Sequence, residues 1–359
     1  MPPITRLTFA DTGQLGSALS GATAVGLDTE FMREDTFFAQ LCLVQIATES
    51  QILLLDPLAE DHNEAMWDDL LDRDWTLHSG RQDIEVIQQT TGKLPRSLFD
   101  TQIAAGLLGY PPQLGYANLV RELFGVELKK TQTRADWSRR PLSKAMEAYA
   151  AEDVEYLIEA RERLVEKLTA EGRAGWAEED SAALLDVRLY EADPEAAIDR
   201  LKAARNLKGA ARSAARALAS WREARAISRN RPRQWIMRDA VLVEIARRRP
   251  GNLDELAEID GLAQGTLRRA GGELISLARA ASASPERYEP PSPPSESDKA
   301  LLKTLQKQVA HRAEELNLAA EILAPRRELA AAVRGETTGR VFVGWRQQVI
   351  GTELLEMLG

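Results

Sequence analysis

Apolar and β-branched residues gather in short runs over the first eighty positions, at 24–28, 41–47, 51–55 and 75–79. Runs of this length bounded by polar residues predict buried strands. Helical spacing begins after Asp61, Gln82, Thr101, Gly115 and Ser143. A meander of strands followed by helices predicts an α/β core. The clearest helix lies in 143–157, which has no Gly or Pro and carries Met146, Ala150, Val154 and Leu157 as an apolar stripe. That stripe would dock on a sheet. From 205 to 282 the pattern changes to short helices punctuated by Gly and Pro, at 221–226, 238–246 and 250–262. Five prolines within 284–295 mark an extended linker, after which 298–323 reads as helix, Pro325 interrupts, and 344–350 opens a final helix.

Asp28 and Glu30 close the run at 24–28. Side chains alternate along a strand, so the two carboxylates share one face of the sheet. Two carboxylates converging on one spot repel unless a cation lies between them. The Asp-x-Glu spacing alone is weak, since it recurs at Asp83/Glu85, Asp153/Glu155 and Asp193/Glu195. Tyr149 and Asp153 are four apart in the 143–157 helix and share a face beside its apolar stripe. Taken singly, Asp28 or Asp83 reads as a strand-end or helix-capping carboxylate and Tyr149 as a core-edge aromatic.

In joint order, Asp28-Thr29-Glu30-Phe31, the segment from His78 to Glu85 containing Asp83, and Tyr149-Ala150-Ala151-Glu152-Asp153 resemble the three motifs of the DEDDy 3′-5′ exonucleases. The connecting segments 40–47, 115–120 and 133–142, with Phe99-Asp100-Thr101-Gln102, are similar to the ribonuclease D branch of that family. The sister subclass would carry a His where Ala148 stands. The resemblance implies a ribonuclease H-like mixed sheet with flanking helices over 1–170. It further implies Asp28, Glu30, Asp83 and Asp153 as metal ligands, and release of 5′-mononucleotides from a free 3′ end.

Four acidic ligands without His or Cys suit two hard divalent ions, Mg2+ or Mn2+, better than zinc. Tyr149, with an ordinary pKa of about 10, is a poor base at neutral pH and is assigned to orienting the attacking water. No organic cofactor is expected. Phe31 and His78, inside the motifs, are candidate substrate contacts. So are Lys130, Arg134, Arg139 and Arg140, a basic patch that would track an incoming strand.

A net charge of −9 argues against nucleic acid until it is divided along the chain. Residues 1–204 are net −16, 205–282 net +8 and 283–359 net −1. Between Arg205 and Gln234, Glu223 alone opposes nine Lys or Arg, with Trp221 and Trp235 at this run. Basic charge binds phosphates through counterion release and aromatic faces stack on bases, which makes Arg222 and Arg225 further substrate candidates. This segment resembles the HRDC domain, a helical module shared by ribonuclease D and RecQ-type helicases; no Walker A motif accompanies it.

The expected organisation is an exonuclease domain (1–170), a helical connector (171–204), an HRDC domain (205–282), a Pro-rich linker (283–297) and a second, divergent HRDC-like domain (298–359). The chain of 359 residues, 44% hydrophobic, suffices for such cores. The single cysteine, Cys42, forms no internal disulfide and reads as a buried thiol. With no signal-like start and no apolar run of membrane length, a cytoplasmic monomer without membrane contact is expected. The expected partner is RNA with a free 3′ end, such as 3′-extended tRNA precursors or other structured RNA. The rivals are a DNA exonuclease of the same family and a noncatalytic nucleic-acid binding protein.

Overall fold

Strands form where the apolar runs predict them and at two places they do not. The computed structural model describes residues 2–8, 11–59, 65–129, 135–285, 287–289 and 292–359. Its strands are β1 (Ile4–Thr8), β2 (Ala24–Met32), β3 (Gln40–Ala47), β4 (Ile52–Asp56), β5 (Asp74–Leu77) and β6 (Ser97–Asp100), joined in one sheet of order β1-β4-β3-β2-β5-β6. β3 and β4 are antiparallel, while β1 with β4, β2 with β5 and β5 with β6 run parallel. This is a mixed sheet, consistent with the ribonuclease H-like arrangement. β1 and β6 escape the sequence pattern because each is an edge strand, β1 burying only Leu7 and β6 spanning four residues.

The helices around this sheet are α1 (Thr12–Ala18), α2 (Ala65–Leu71), α3 (Arg81–Thr91), α4 (Thr101–Leu107), α5 (Tyr116–Phe124), α6 (Lys144–Glu152), α7 (Leu157–Ala170) and α8 (Ala174–Ala182). The single helix expected over 143–157 is two, α6 and α7, broken at Asp153 to Tyr156. Ser143 caps α6 by accepting the Met146 N–H at 3.2 Å. At the break, the Tyr116 hydroxyl accepts the Tyr156 N–H at 3.0 Å, so the interruption leaves that donor satisfied. The apolar stripe does dock as expected. Ala150, Ala151, Val154 and Leu157 share a core with Cys42, Leu43, Ala47, Ile52, Leu54 and Trp137. Gly26 permits the close approach, because a Cβ there would lie 2.9 Å from the Leu157 Cβ.

The chain forms two compact units, Met1–Met32 with Leu41–Tyr190 and Pro294–Gly359, and Arg33–Gln40 with Glu191–Pro293. The second unit contains α9 (Gly209–Ser228), α10 (Arg233–Ile236), α11 (Asp239–Arg248), α12 (Leu253–Ala257) and α13 (Gln264–Ala283). Their core is Leu218, Leu242, Ile245, Leu256, Ile259 and Leu274 with small residues around them. The loop after β2 belongs here: the Phe37 and Phe38 N–H groups donate to Asn230 Oδ1, and Arg231 donates to the Asp35 carbonyl.

The C-terminal helices α14 (Glu296–Glu315), α15 (Ala320–Leu323), α16 (Arg326–Ala332), α17 (Gly344–Arg346) and α18 (Thr352–Leu358) do not stand apart as a further unit. Leu305, Val309, Leu323, Leu329, Phe342, Trp345 and Leu354 share one core with Phe99, Leu107, Leu119, Leu164 and Leu168 of the exonuclease fold. Trp345 stacks on Trp176 with ring centroids 4.3 Å apart. Arg346 grips Asp180 with both terminal nitrogens, Nη2 to Oδ2 at 2.7 Å.

Candidate active site

β2 places its residues on two faces. Val25, Leu27 and Thr29 are buried on one, while Gly26, Asp28 and Glu30 occupy the other, where Gly26 meets Leu157 of α7. The break between α6 and α7 therefore delivers Asp153 to the side of the sheet that carries Asp28 and Glu30. Tyr149, one turn earlier, hydrogen-bonds Asp153 and packs its ring 6.1 Å from that of Trp137.

Asp83 comes from the first turn of α3, where the helix dipole favours an anion. Thr29 holds it, donating from its backbone N–H at 3.1 Å and its hydroxyl at 2.5 Å to the same oxygen, Oδ1. Nothing in the sequence pattern singles out Thr29, since its role depends on α3 meeting β2. The start of α3 is fixed in turn by Asp100, buried at the end of β6. Its carboxylate accepts four N–H groups, those of Ser79 (3.1 Å), Gly80 (2.9 Å), Gln102 (2.8 Å) and Ile103 (3.2 Å). One side chain thus caps α4 and ties down the Ser79–Gly80 turn, where Ser79 adopts a left-handed φ of 61°.

Asp28 and Glu30 both feel the charges of Asp83 and Asp153. Burial raises the pKa of Asp28 well above the usual carboxylate range, and the charges of Asp83, Asp153 and Glu30 raise it further. Burial, then Asp153 and Asp83, push Glu30 up to about 8. Asp83 rises to about 6, chiefly through burial and against the opposing Thr29 hydrogen bonds. Burial first, then Asp153, Glu30 and Asp28, raise the Tyr149 phenol, which stays protonated at neutral pH. Among the described residues no three acidic, imidazole or thiol groups stand as a ready-made cage around one point. The carboxylates converge electrostatically without being preset at ligand distances. A desolvated, mutually repelling, all-oxygen set of this kind fits hard divalent cations.

Several expected substrate contacts have their polar atoms committed to partners within the chain. His78 places Nδ1 2.9 Å from the Thr101 hydroxyl and Nε2 2.7 Å from the Leu114 carbonyl, and burial lowers its pKa. It braces the core and has no ring nitrogen left for substrate. Arg140 commits its N–H donors to both Asp56 carboxylate oxygens and the carbonyls of Cys42, Trp137 and Arg139. Arg222 is buried, bonded to the Met237 carbonyl and Asp239. These three are corrected to structural residues, Arg140 while still exposed at the surface and Arg222 from the interior; nothing in the sequence pattern reveals that Arg222, an arginine in a basic run, faces inward. Arg139 is exposed with Asp136 at 3.2 Å, Arg225 pairs with Glu273 at 2.9 Å, and Phe31 is half-buried on β2. Lys130 and Arg134 lie outside the described residues.

Comparison with known proteins bears on the whole chain. A family model described as a 3′-5′ exonuclease matches residues 9–169, and one described as an HRDC domain matches residues 211–277. A protein named ribonuclease D from Xanthomonas oryzae pv. oryzae is 36% identical, across 93% of each chain. A ribonuclease D of Gluconacetobacter diazotrophicus is 36% identical, covering 99% of this chain and 92% of its own. The crystal structure of Escherichia coli RNase D, described as an exoribonuclease involved in structured RNA processing, superposes with a TM-score of 0.89 at 29% identity, covering 100% of this chain and 99% of that one.

Proposed function

The chain belongs to the ribonuclease D family and is a 3′-5′ exoribonuclease, and from that premise we propose that Asp28, Glu30, Asp83, Asp153 and Tyr149 form its catalytic centre. The observation that carries the assignment is that the charges of Asp83, Asp153 and Glu30 raise the pKa of Asp28, and those of Asp153 and Asp83 raise that of Glu30. The family is divalent-metal dependent; two ions, magnesium or manganese, held by the four carboxylates are our reading of this centre. When bound, such ions supply an activated water, neutralise the phosphoryl oxygens and stabilise the departing 3′ oxygen.

The chain's own residues do the rest. Asp28 and Glu30 come from one rigid strand face, and Thr29 between them fixes the rotamer of Asp83. The Tyr149 hydroxyl, hydrogen-bonded to Asp153 and held as a neutral phenol, orients the attacking water. Hydrolysis then releases a 5′-mononucleotide and leaves a new 3′ hydroxyl for the next round.

The substrate we infer is structured RNA with a free 3′ end, 3′-extended tRNA precursors above all, since the Escherichia coli relative is described as acting in structured RNA processing. We take the working form to be a monomer. The proposed domain bounds are 1–170, 171–204, 205–282, 283–297 and 298–359, with the last a diverged HRDC-type segment whose helices pack on the exonuclease core. No helix among the described residues is long and apolar enough to cross a membrane. Purified protein incubated with 3′-extended tRNA or sequence-matched DNA, with magnesium or with chelator, tests the reading. Metal-dependent release of mononucleotides from the RNA is expected. Equal or faster attack on DNA would assign the centre to a DNA exonuclease, and activity in chelator would remove the metal role.

A further inference from the structure

The second unit contains a small built cavity that nothing in the exonuclease chemistry uses. α9, α10 and α13 enclose about 50 Å³ lined chiefly by Trp221, Arg225, Arg229, Trp235, Thr266 and Arg269. At roughly 10–15 Å³ for a water-sized group, the space holds three to five such groups, as many as a phosphate has oxygens and too few for a nucleobase.

The charge on its walls is unbalanced. Arg225 is paired with Glu273 and lies 4.9 Å from the Trp221 ring centre, but Arg229 and Arg269, both exposed, have no carboxylate within ion-pair distance among the described residues. The acid that the sequence set against this basic run, Glu223, is itself buried and gripped by Arg200 and Arg233, so it neutralises nothing at the cavity.

Trp235 lines the same cavity and remains 60% exposed. A Trp left so open contributes little to the core, and the Arg231 guanidinium lies 5.8 Å from its ring centre. A flat aromatic face beside a cavity with two unpaired guanidinium groups is suited to a base stacked on the ring with its phosphate in the pocket.

We propose that this pocket binds one nucleotide unit of single-stranded RNA, the phosphate held by Arg229 and Arg269 and the adjoining base stacked on Trp235. A paired base is stacked within its own duplex and cannot cover the ring, so the pocket selects single strands. An acidic peptide would answer the arginines but leave Trp235 uncovered. The inference rests on the reading of the chain as an enzyme acting on RNA, and deepens it by naming where the positively charged module takes hold.

The test uses the full-length protein in chelator, so that nothing is cleaved. Fluorescein-labelled decaadenylate reports affinity by anisotropy, and unlabelled decaadenylate reports stacking by quenching of tryptophan emission. Trp235→Ala is expected to abolish most of the quenching and weaken binding about five- to a hundredfold, the range for one stacked base. Trp235→Phe should restore most of the affinity. Arg229→Gln with Arg269→Gln should weaken binding and flatten the salt dependence by roughly 0.7 for each phosphate no longer neutralised. Thermal melts confirm that each variant is folded. Unchanged affinity and salt slope in these folded variants overturn the proposal, as does duplex RNA that binds equally well through the pocket. Displacement of decaadenylate by oligoglutamate at matched charge would instead assign the pocket to an acidic peptide. Hydrolysis of the dinucleotide ApA by the wild-type protein with magnesium checks the catalytic reading separately, since its single phosphate cannot fill two sites at once. Failure there counts against the nuclease centre and leaves the binding result standing.

Discussion

Thr29 donates two hydrogen bonds to one oxygen of Asp83, from a position between Asp28 and Glu30 on the same strand. Losing the hydroxyl alone leaves the backbone bond and the charge in place, so Thr29→Val should reduce turnover by about ten- to a hundredfold, while Thr29→Ser stays near wild type. Steady-state assays on a single-stranded oligonucleotide distinguish a lost rotamer constraint from a lost ligand, because Asp28→Asn should cost several orders of magnitude. Tyr149→Phe should fall between, at roughly ten- to a thousandfold; a rate equal to wild type would make Tyr149 merely structural. The proton affinities give a further check. Glu30 and Asp83 have folded pKa values raised to about 8 and about 6, above their ordinary carboxylate values, so between those limits the folded metal-free protein holds protons that the unfolded chain releases. The stability these groups contribute is thus greatest in acid and declines as pH rises toward 8. In chelator, the urea midpoint should be higher at pH 5.5 than at pH 8, and magnesium should recover more at pH 8, where fewer protons compete. The acidic positions proposed as ligands are marked in the sequence by the ordered motifs alone. Thr29 is not, because a threonine on a strand carries no mark of what a helix fifty-four residues away will bring to it.

Asp100 shows the same logic one level up. Its carboxylate serves α4 as a cap and α3 as an anchor through the Ser79–Gly80 turn, so it sets the element that carries Asp83 without touching the carboxylate cluster directly. Asp100→Ala would remove a helix cap and leave buried N–H groups without acceptors, at roughly 1 kcal/mol for the cap and 1–3 kcal/mol for an orphaned group. A loss of about 2–4 kcal/mol in urea unfolding is expected on those figures, and a stability within about 0.5 kcal/mol of wild type would show that water replaces the carboxylate. The segment 99–102 was legible as part of the family pattern, but its role needed the fold. Element positions were legible where the apolar pattern is continuous: β2 and β3 appear where the apolar runs predict buried strands, and the stripe of α6 and α7 docks as its spacing predicts. The break at Asp153 was not, since residues 143–157 contain no helix breaker and the interruption is stabilised from outside by Tyr116. Nor was the orientation of Arg222 or Arg212, which face the interior from a helix whose charges suggested an open basic face.

At the scale of the molecule, the order of segments along the chain differs from the grouping of its cores. The C-terminal helices follow the HRDC module in sequence yet bury Leu305, Val309, Leu323, Leu329, Phe342, Trp345 and Leu354 with the exonuclease helices. Burying one such side chain contributes about 1.5–3 kcal/mol. Set against the roughly 5–15 kcal/mol by which a domain is stable at all, and even after the entropy cost of ordering these helices, losing them should destabilise the catalytic fold strongly. A chain ended near Glu195 keeps every proposed ligand but loses this core, and should express as aggregated or molten protein with little activity. Ending the chain after Ser292 should do nearly as much damage while keeping the positively charged module. The milder probe is Arg346→Ala, which strands Asp180 beside the stacked pair of Trp176 and Trp345. Breaking one side of a buried ion pair costs about 3–5 kcal/mol, which should lower both the thermal midpoint and the turnover of short substrates in parallel. If the chain ended after Ser292 remained folded and hydrolysed ApA at the wild-type rate, the shared core would be dispensable and the terminal helices would have to be regarded as an appended module.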